Sequence, residues 1–149
     1  MSRRGSSTGG DGLSYALTAD PAEADFVAVS EALAAFNEAD VGPSGQLPLM
    51  VLVRDAQGTL VAGIYGYTAW GWLYVQRLWV AEGQRGRGVA GRMLALAEDE
   101  ARRRGCHGAW IDTFSPVALG GYQRAGYRPF GALADFPPGR TRTFLSKRL

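Results

Sequence analysis

Residues 84–91 read Gln-Arg-Gly-Arg-Gly-Val-Ala-Gly, and they lie between an apolar strand-like run and a long amphipathic helical pattern. A chain with that order presents a helix N-terminus just beyond a strand. The first turn of a helix points unpaired backbone N–H groups outward, and the aligned peptide dipoles add partial positive charge there. Glycines let an anion approach the backbone, and 83–92 contains no acidic residue. The segment reads as a phosphate site, best suited to a pyrophosphate.

The rest of the chain limits what surrounds that site. Its 149 residues are enough for one domain with a sizeable core. Residues 1–11 are rich in Ser, Gly and Thr with no apolar stretch, so they read as a disordered tail and not a signal peptide, ahead of a single domain over 12–149. A net charge of +2 suits an anionic ligand but is far from a nucleic-acid-binding signature. No run approaches the roughly 18 apolar residues of a membrane span, so neither a membrane nor a nucleic acid is expected as partner. One cysteine rules out an internal disulfide and fits a cytoplasmic location. Cys106 and His107 are adjacent and offer too few ligands for a metal, so none is expected.

Strand signals fall at 13–17, 49–54, 60–68, 72–80, 109–113, 127–133 and 141–147, with a turn near 69–71 joining two long strands of a meander. Asp20-Pro21 reads as the start of a helix to about Phe36, with Phe26, Val29, Leu33 and Phe36 on one face. A second helix runs from about Gly88 to Arg104, burying Val89, Met93, Leu96, Ala97 and Ala101, with Gly105 as its stop. Ser115-Pro116 opens a short helix that closes at Gly126. The order β-α-β-β-β-α-β-α-β-β describes an α/β domain with a mixed central sheet of about seven strands flanked by helices.

Three readings of the glycine loop compete. It is a Gly/Arg-rich surface loop, a dinucleotide site or a coenzyme A site. Gly86-Arg-Gly88-Val-Ala-Gly91 matches G-x-G-x-x-G, and Asp112 lies 21 residues beyond Gly91. That fingerprint belongs hard against the first strand of a parallel sheet. Here five residues separate Val80 from Gly86, a meander precedes the loop, and only 58 residues follow Gly91.

Arg85-Gly-Arg-Gly-Val-Ala90 fits the R/Q-x-x-G-x-G/A signature of the GNAT acyltransferases, and 118–127 (Ala-Leu-Gly-Gly-Tyr-Gln-Arg-Ala-Gly-Tyr) resembles that family's C-terminal block. The resemblance covers about 13–148 and is closest to the small stand-alone bacterial members. It implies a GNAT-like acyl-CoA acyltransferase fold, with acetyl-CoA as co-substrate. The backbone of Arg85, Gly86, Arg87, Gly88, Val89, Ala90 and Gly91 would hold the pyrophosphate, with charge from Arg85 and Arg87. Leu78, Trp79 and Val80 would pair with the pantetheine arm, in a gap where this strand splays from 109–113. The N–H near Val80 would meet the thioester oxygen.

Tyr122 matches the family tyrosine placed to hydrogen-bond the thioester sulfur. With ordinary values, transfer of its proton to a thiolate is uphill by about 1.5 units, roughly 2 kcal/mol. Ser115, where many members carry asparagine, is expected beside the pantetheine, and Gly121 replaces the usual aromatic. An alkylamine needs a base near neutral pH, because deprotonation costs roughly 4–5 kcal/mol. The position where some relatives place a glutamate falls near Tyr74, with Gln76 two residues on. Glu82 lies beyond the strand, which leaves Asp112 as the best carboxylate.

The resemblance thus implies N-acetylation by direct transfer to an amine, first a small-molecule amine. A protein or peptide amine and a non-catalytic acyl-CoA sensor are the alternatives. The acceptor would enter between a loop at 36–47 and the final strand pair, where Asn37, Glu38 and Asp40 either favour a cationic amine or only face solvent. A homodimer is compatible with the family.

Overall fold

The computed structural model describes residues 5–149, and the chain divides into two compact units at Pro43/Ser44. In the first unit, β1 (Gly5–Thr8) and β2 (Ser14–Leu17) pair as an antiparallel hairpin. Asp11 shapes its turn by accepting from the Leu13 amide and the Tyr15 hydroxyl. Residues 5–8 are therefore a strand where a disordered tail was expected; positions 1–4 of that tail lie outside the described residues.

α1 (Glu23–Val41) starts two residues after Pro21, with Ala22 as N-cap and no side-chain cap. The Asp20-Pro21 signal is not used. The helix also passes the expected stop at Phe36, because 37–41 reads Asn-Glu-Ala-Asp-Val with no glycine or proline to stop it, and ends only at Gly42 (φ 86°). Asn37, Glu38 and Asp40 are consequently helical and not part of a loop. Phe26, Val29, Leu33 and Phe36 are exposed, and no residue of α1 is buried.

The second unit is built on β3 (Leu47–Arg54), β4 (Leu60–Ala69), β5 (Trp72–Val80), β6 (Gly108–Thr113), β7 (Arg128–Ala134) and β8 (Thr141–Arg148). The order is β3-β4-β5-β6-β8-β7, with β5–β6 the parallel pair. The sheet has six strands and not about seven, because β2 pairs with β1. Trp70 and Gly71, both at positive φ, make the two-residue turn between β4 and β5.

Alternation buries one face of the sheet. Ala62, Ile64, Leu73, Val75, Ala109, Ile111 and Leu145 form the core with α2 (Val89–Arg103), which contributes Met93, Leu94, Ala97 and Ala101. Leu96 was expected in this stripe but is exposed; Leu94 and Glu98 are buried instead, beside Met93, Ala97 and Ala101. α2 ends in a Schellman turn at Gly105, with the Cys106 amide on Ala101 O and the Gly105 amide on Arg102 O. Arg104 then reaches Leu47 O, Pro48 O and Thr68 Oγ1, fastening the helix end to the sheet edge.

α3 (Pro116–Arg124) uses the expected cap, the Ser115 hydroxyl accepting from the Ala118 amide at 3.3 Å. It closes in a second Schellman turn at Gly126, where the Tyr127 amide bonds the carbonyl of Tyr122. Below it, buried Glu98 accepts from Tyr127 Oη at 3.1 Å and from Lys147 Nζ at 2.6 Å. Lys147 also donates to Ala125 O. These bonds lock α2, β8 and the end of α3 together and so set where Tyr122 stands.

Candidate active site

β5 and β6 pair only from Trp72↔Gly108 to Val75↔Ile111, although β5 continues to Val80 and β6 to Thr113. Beyond Val75 the two strands no longer pair, so the β6-facing edge of β5 has no ladder partner there. The parting coincides with a bulge. Tyr65 opposes Arg77 and Gly66 opposes Val75, which leaves Gln76 as the extra residue. Gly66 permits it: a Cβ there would overlap the Tyr74 carbonyl oxygen and lie 3.3 Å from Val75 Cα.

On the helical side of the parting lies a groove of about 860 Å³, walled by β5, the glycine loop, the start of α2 and the length of α3. Eleven of the twelve residues expected to hold the donor line it: Leu78, Trp79, Val80, Arg85, Gly86, Gly88, Val89, Ala90, Gly91, Ser115 and Tyr122. Arg87 is not among the lining residues; its guanidinium reaches Gln84 Oε1 at 3.5 Å. Gln84, Leu94, Val117, Ala118, Gly121, Arg124 and Ala125 complete the wall. The α3 members recur at three- and four-residue intervals, so a helical reading of 116–125 could have found them.

The loop has the geometry that an anion needs. Gly86 and Gly88 sit at φ 73° and 75°, and Gly88 is the N-cap of α2 with no side chain closing it. The Arg92 amide bonds Gly88 O, so the amides of Val89, Ala90 and Gly91 precede the helical ladder and have no helical acceptor. Arg85 donates from Nε to Val80 O at 3.1 Å, stapling the loop to the end of β5. It therefore shapes the site as well as charging it.

Tyr122 projects from α3 into the groove. Burial, and then the negative charge of Asp112, push its phenol up to about 12. The phenol is thus a hydrogen-bond donor that keeps its proton at physiological pH.

The opposite face of the sheet carries a polar cluster at the same parting. Tyr74 stacks flat on Trp110, with centroids 3.8 Å apart and planes 4° from parallel, and Tyr67 meets it edge-on. The Tyr74 hydroxyl lies 3.3 Å from Asp112 Oδ1, while Arg142 Nη1 holds Asp112 Oδ2 at 2.9 Å. The Arg142 guanidinium lies over Phe136 at 4.1 Å and near Phe114 at 5.1 Å. Burial, then the charge and hydrogen bond of Asp112, hold the Tyr74 phenol above its ordinary range, and Arg142 opposes this. Two of the sequence candidates, Tyr74 and Asp112, thus meet, although they are 38 residues apart. Arg142 was missed, because its partner lies across the β6–β8 pairing and no local signal marks it. Beside the cluster, a recess of about 500 Å³ is lined by Trp72, Trp110, Phe130, Phe144 and Ser146.

Among the described residues no group of three or more His, Cys, Asp or Glu could hold a metal, and no helix is long and apolar enough to cross a membrane.

The acetyltransferase (GNAT) family model matches residues 17–127, a span that crosses the division at Pro43. An acetyltransferase of Agrobacterium fabrum is 45% identical over 121 residues, covering 81% of this chain and 88% of the relative. Blasticidin-S acetyltransferase of Streptomyces morookaense is 44% identical over 94 residues, covering 62% of this chain and 69% of the relative. A crystal structure from Agrobacterium tumefaciens, assigned as an acetyltransferase, superposes with a TM-score of 0.87 at 40% identity, covering 92% of this chain and all of the other.

Proposed function

The chain belongs to the acetyltransferase (GNAT) family, and on that premise we propose that it binds acetyl-CoA in the groove and passes the acetyl group directly to the amine of a small molecule. The observation that carries this is the coincidence of groove, open β5 edge and Tyr122 at one parting of the sheet. The pyrophosphate lies on the amides of 88–91, the pantetheine arm runs along Leu78, Trp79 and Val80, and the thioester enters between β5 and β6. There the open amides of β5 stabilise the oxyanion as charge develops on the carbonyl oxygen. Tyr122 donates a hydrogen bond to the departing sulfur. With its phenol at about 12 and a free thiol near 8.5, handing over the proton is uphill by about 3.5 units, roughly 5 kcal/mol. Tyr122 therefore steadies the thiolate without protonating it.

The amine arrives from the opposite face, where Tyr74 and Asp112 serve as its base. The small-molecule reading draws on the blasticidin-S relative and on the aromatic recess beside Asp112, which suits a compact acceptor with a flat or apolar part. A second copy of the chain as partner draws on the exposed Phe26, Val29, Leu33 and Phe36 of α1, and light scattering reads it directly. A cytoplasmic location draws on the single, unpaired Cys106.

The test is thiol release from acetyl-CoA across a panel of amines that includes blasticidin S and lysine-containing peptides. Release with small amines supports the proposal. Release with peptides alone moves the acceptor class, and coenzyme A binding without release from any amine refutes the proposal.

A further inference from the structure

We propose that Tyr74 and Asp112 act as one proton relay for the incoming amine, with Arg142 as the residue that positions it, a reading that rests on the acetyltransferase function above. The geometry points to this unit and not to either residue alone. Asp112 follows directly on Ile111, the last β6 residue paired with β5, and so begins the splayed segment; Tyr74 precedes Val75, the last β5 residue paired with β6. The two meet at the apex of the parting, opposite Tyr122.

Each atom of the cluster has an assignable role. Arg142 occupies Asp112 Oδ2, so the oxygen left to take a proton is Oδ1, and that oxygen faces the Tyr74 hydroxyl. The hydroxyl donates to the carboxylate, which leaves its own lone pairs for a second partner. The stack on Trp110 and the edge contact with Tyr67 restrain the Tyr74 ring and thus the direction of those lone pairs. Arg142 is aligned by the Phe136 and Phe114 rings and by Asp112, and its buried Nε has no hydrogen-bond partner among the described residues.

The proton path follows. An ammonium N–H bond breaks as its proton passes to Tyr74 Oη, and the Tyr74 O–H bond breaks as that proton passes to Asp112 Oδ1. The electron pair stays on nitrogen. Tyr74 is neutral before and after, which agrees with a phenol held above its ordinary range. The freed amine adds to the thioester carbonyl carbon, the C–S bond breaks with its electron pair on sulfur, and the remaining surplus N–H proton goes to the thiolate. Asp112 returns its proton through Tyr74 to solvent. The sum is ammonium plus acetyl-CoA giving amide, thiol and one proton. The other titratable or charged groups acting on the pair are Tyr67 from β4, Arg142 from β8 and Tyr122 from α3.

The test is kcat/KM against pH, with the fastest amine of the panel as probe, for Tyr74→Phe, Asp112→Asn and the double variant. Tyr74→Phe keeps the stacked ring, so it tests the relay even where Asp112→Asn folds poorly. Each single variant is expected to lose on the order of 100-fold near pH 7, and the double variant no more than the worse single one. The variants should regain rate about tenfold per pH unit up to the amine's own pKa, closing on the wild type, with KM for acetyl-CoA unchanged. Arg142→Met should lower kcat/KM near pH 7 through kcat, with KM for acetyl-CoA unchanged, because Asp112 Oδ1 loses its fixed aim at Tyr74, and Arg142→Lys should restore part of the loss. Multiplying losses in the double variant, or an Arg142→Met variant as fast as the wild type, overturn the relay while leaving the transferase standing. A wild type that releases no thiol with any amine sinks both readings.

Discussion

Replacing Gly66 with alanine tests whether the sheet bulge makes the site. A Cβ at 66 would overlap the Tyr74 carbonyl oxygen, lie 3.1 Å from its carbon and 3.3 Å from Val75 Cα, all backbone atoms. Ordinary contact begins at 3.4 Å, and a backbone carbonyl cannot swing aside as a side-chain tip can. Relief requires β4 and β5 to part by something on the order of 1 Å, which puts the neighbouring ladder hydrogen bonds out of range. Losing two such bonds at about 1 kcal/mol each, with overpacking of about 1–3 kcal/mol, predicts a loss of about 3–5 kcal/mol. With a urea slope of about 2 kcal/mol/M, the unfolding midpoint should fall by about 2 M. The activity of the folded fraction should fall with it, because the bulge sets where Tyr74 and the open edge of β5 stand. Gly131→Ala, where a Cβ would meet nothing within 4 Å, is the control and should stay within about 0.5 kcal/mol. If urea midpoints and kcat/KM of Gly66→Ala match the wild type, the bulge does not constrain the site and the reasoning fails.

Gly88→Ala places a side chain at φ 75°, so a stability loss of about 1 kcal/mol is expected, with a raised KM for acetyl-CoA and little change in kcat; an unchanged KM would remove the loop from donor binding. Tyr122→Phe should lower kcat about 10- to 100-fold with KM for acetyl-CoA nearly constant, which steady-state kinetics read. Because burial raises the Tyr122 phenol, the folded state favours its protonated form. Its contribution to stability is whole below the unfolded value of about 10 and disappears as pH rises to about 12, a loss of about 3 kcal/mol that Tyr122→Phe should not show in alkaline melts. Lys147→Met leaves the carboxylate of buried Glu98 without its cation and should destabilise by about 3 kcal/mol in urea unfolding, with Lys147→Met/Glu98→Leu recovering part of it.

The groove proposed for the donor could be read almost whole from the chain. The glycines at 86, 88 and 91, the strand before them and the helix after them are consecutive, and an anion cradle made of backbone amides depends on little else. Ser115 and Tyr122 came from a second local block with its own cap and stop signals. Arg87 departs from that reading because its direction is set by a contact with Gln84 that spacing does not reveal. Misplaced elements have equally local causes: α1 outran its expected stop because no glycine or proline stands before Gly42, and Leu96 was assigned inward on a stripe whose true line passes through Leu94.

The acceptor side belongs to the tertiary structure. Strand alternation places Tyr74, Asp112 and Arg142 on their strands, but which of them meet depends on register, and register is set by pairing partners far away in the chain. The parting of β5 from β6 and the extra residue at Gln76 exist only once β4 and β5 pair out of step. By itself, the order of residues determined the glycine loop at the start of α2 and the tyrosine of α3 that lines the same groove, because each is a property of contiguous backbone. Only folding decided that a tyrosine, an aspartate and an arginine from three strands share one hydrogen-bonded cluster, because that meeting is made by strand register and ring packing and is written in no single segment.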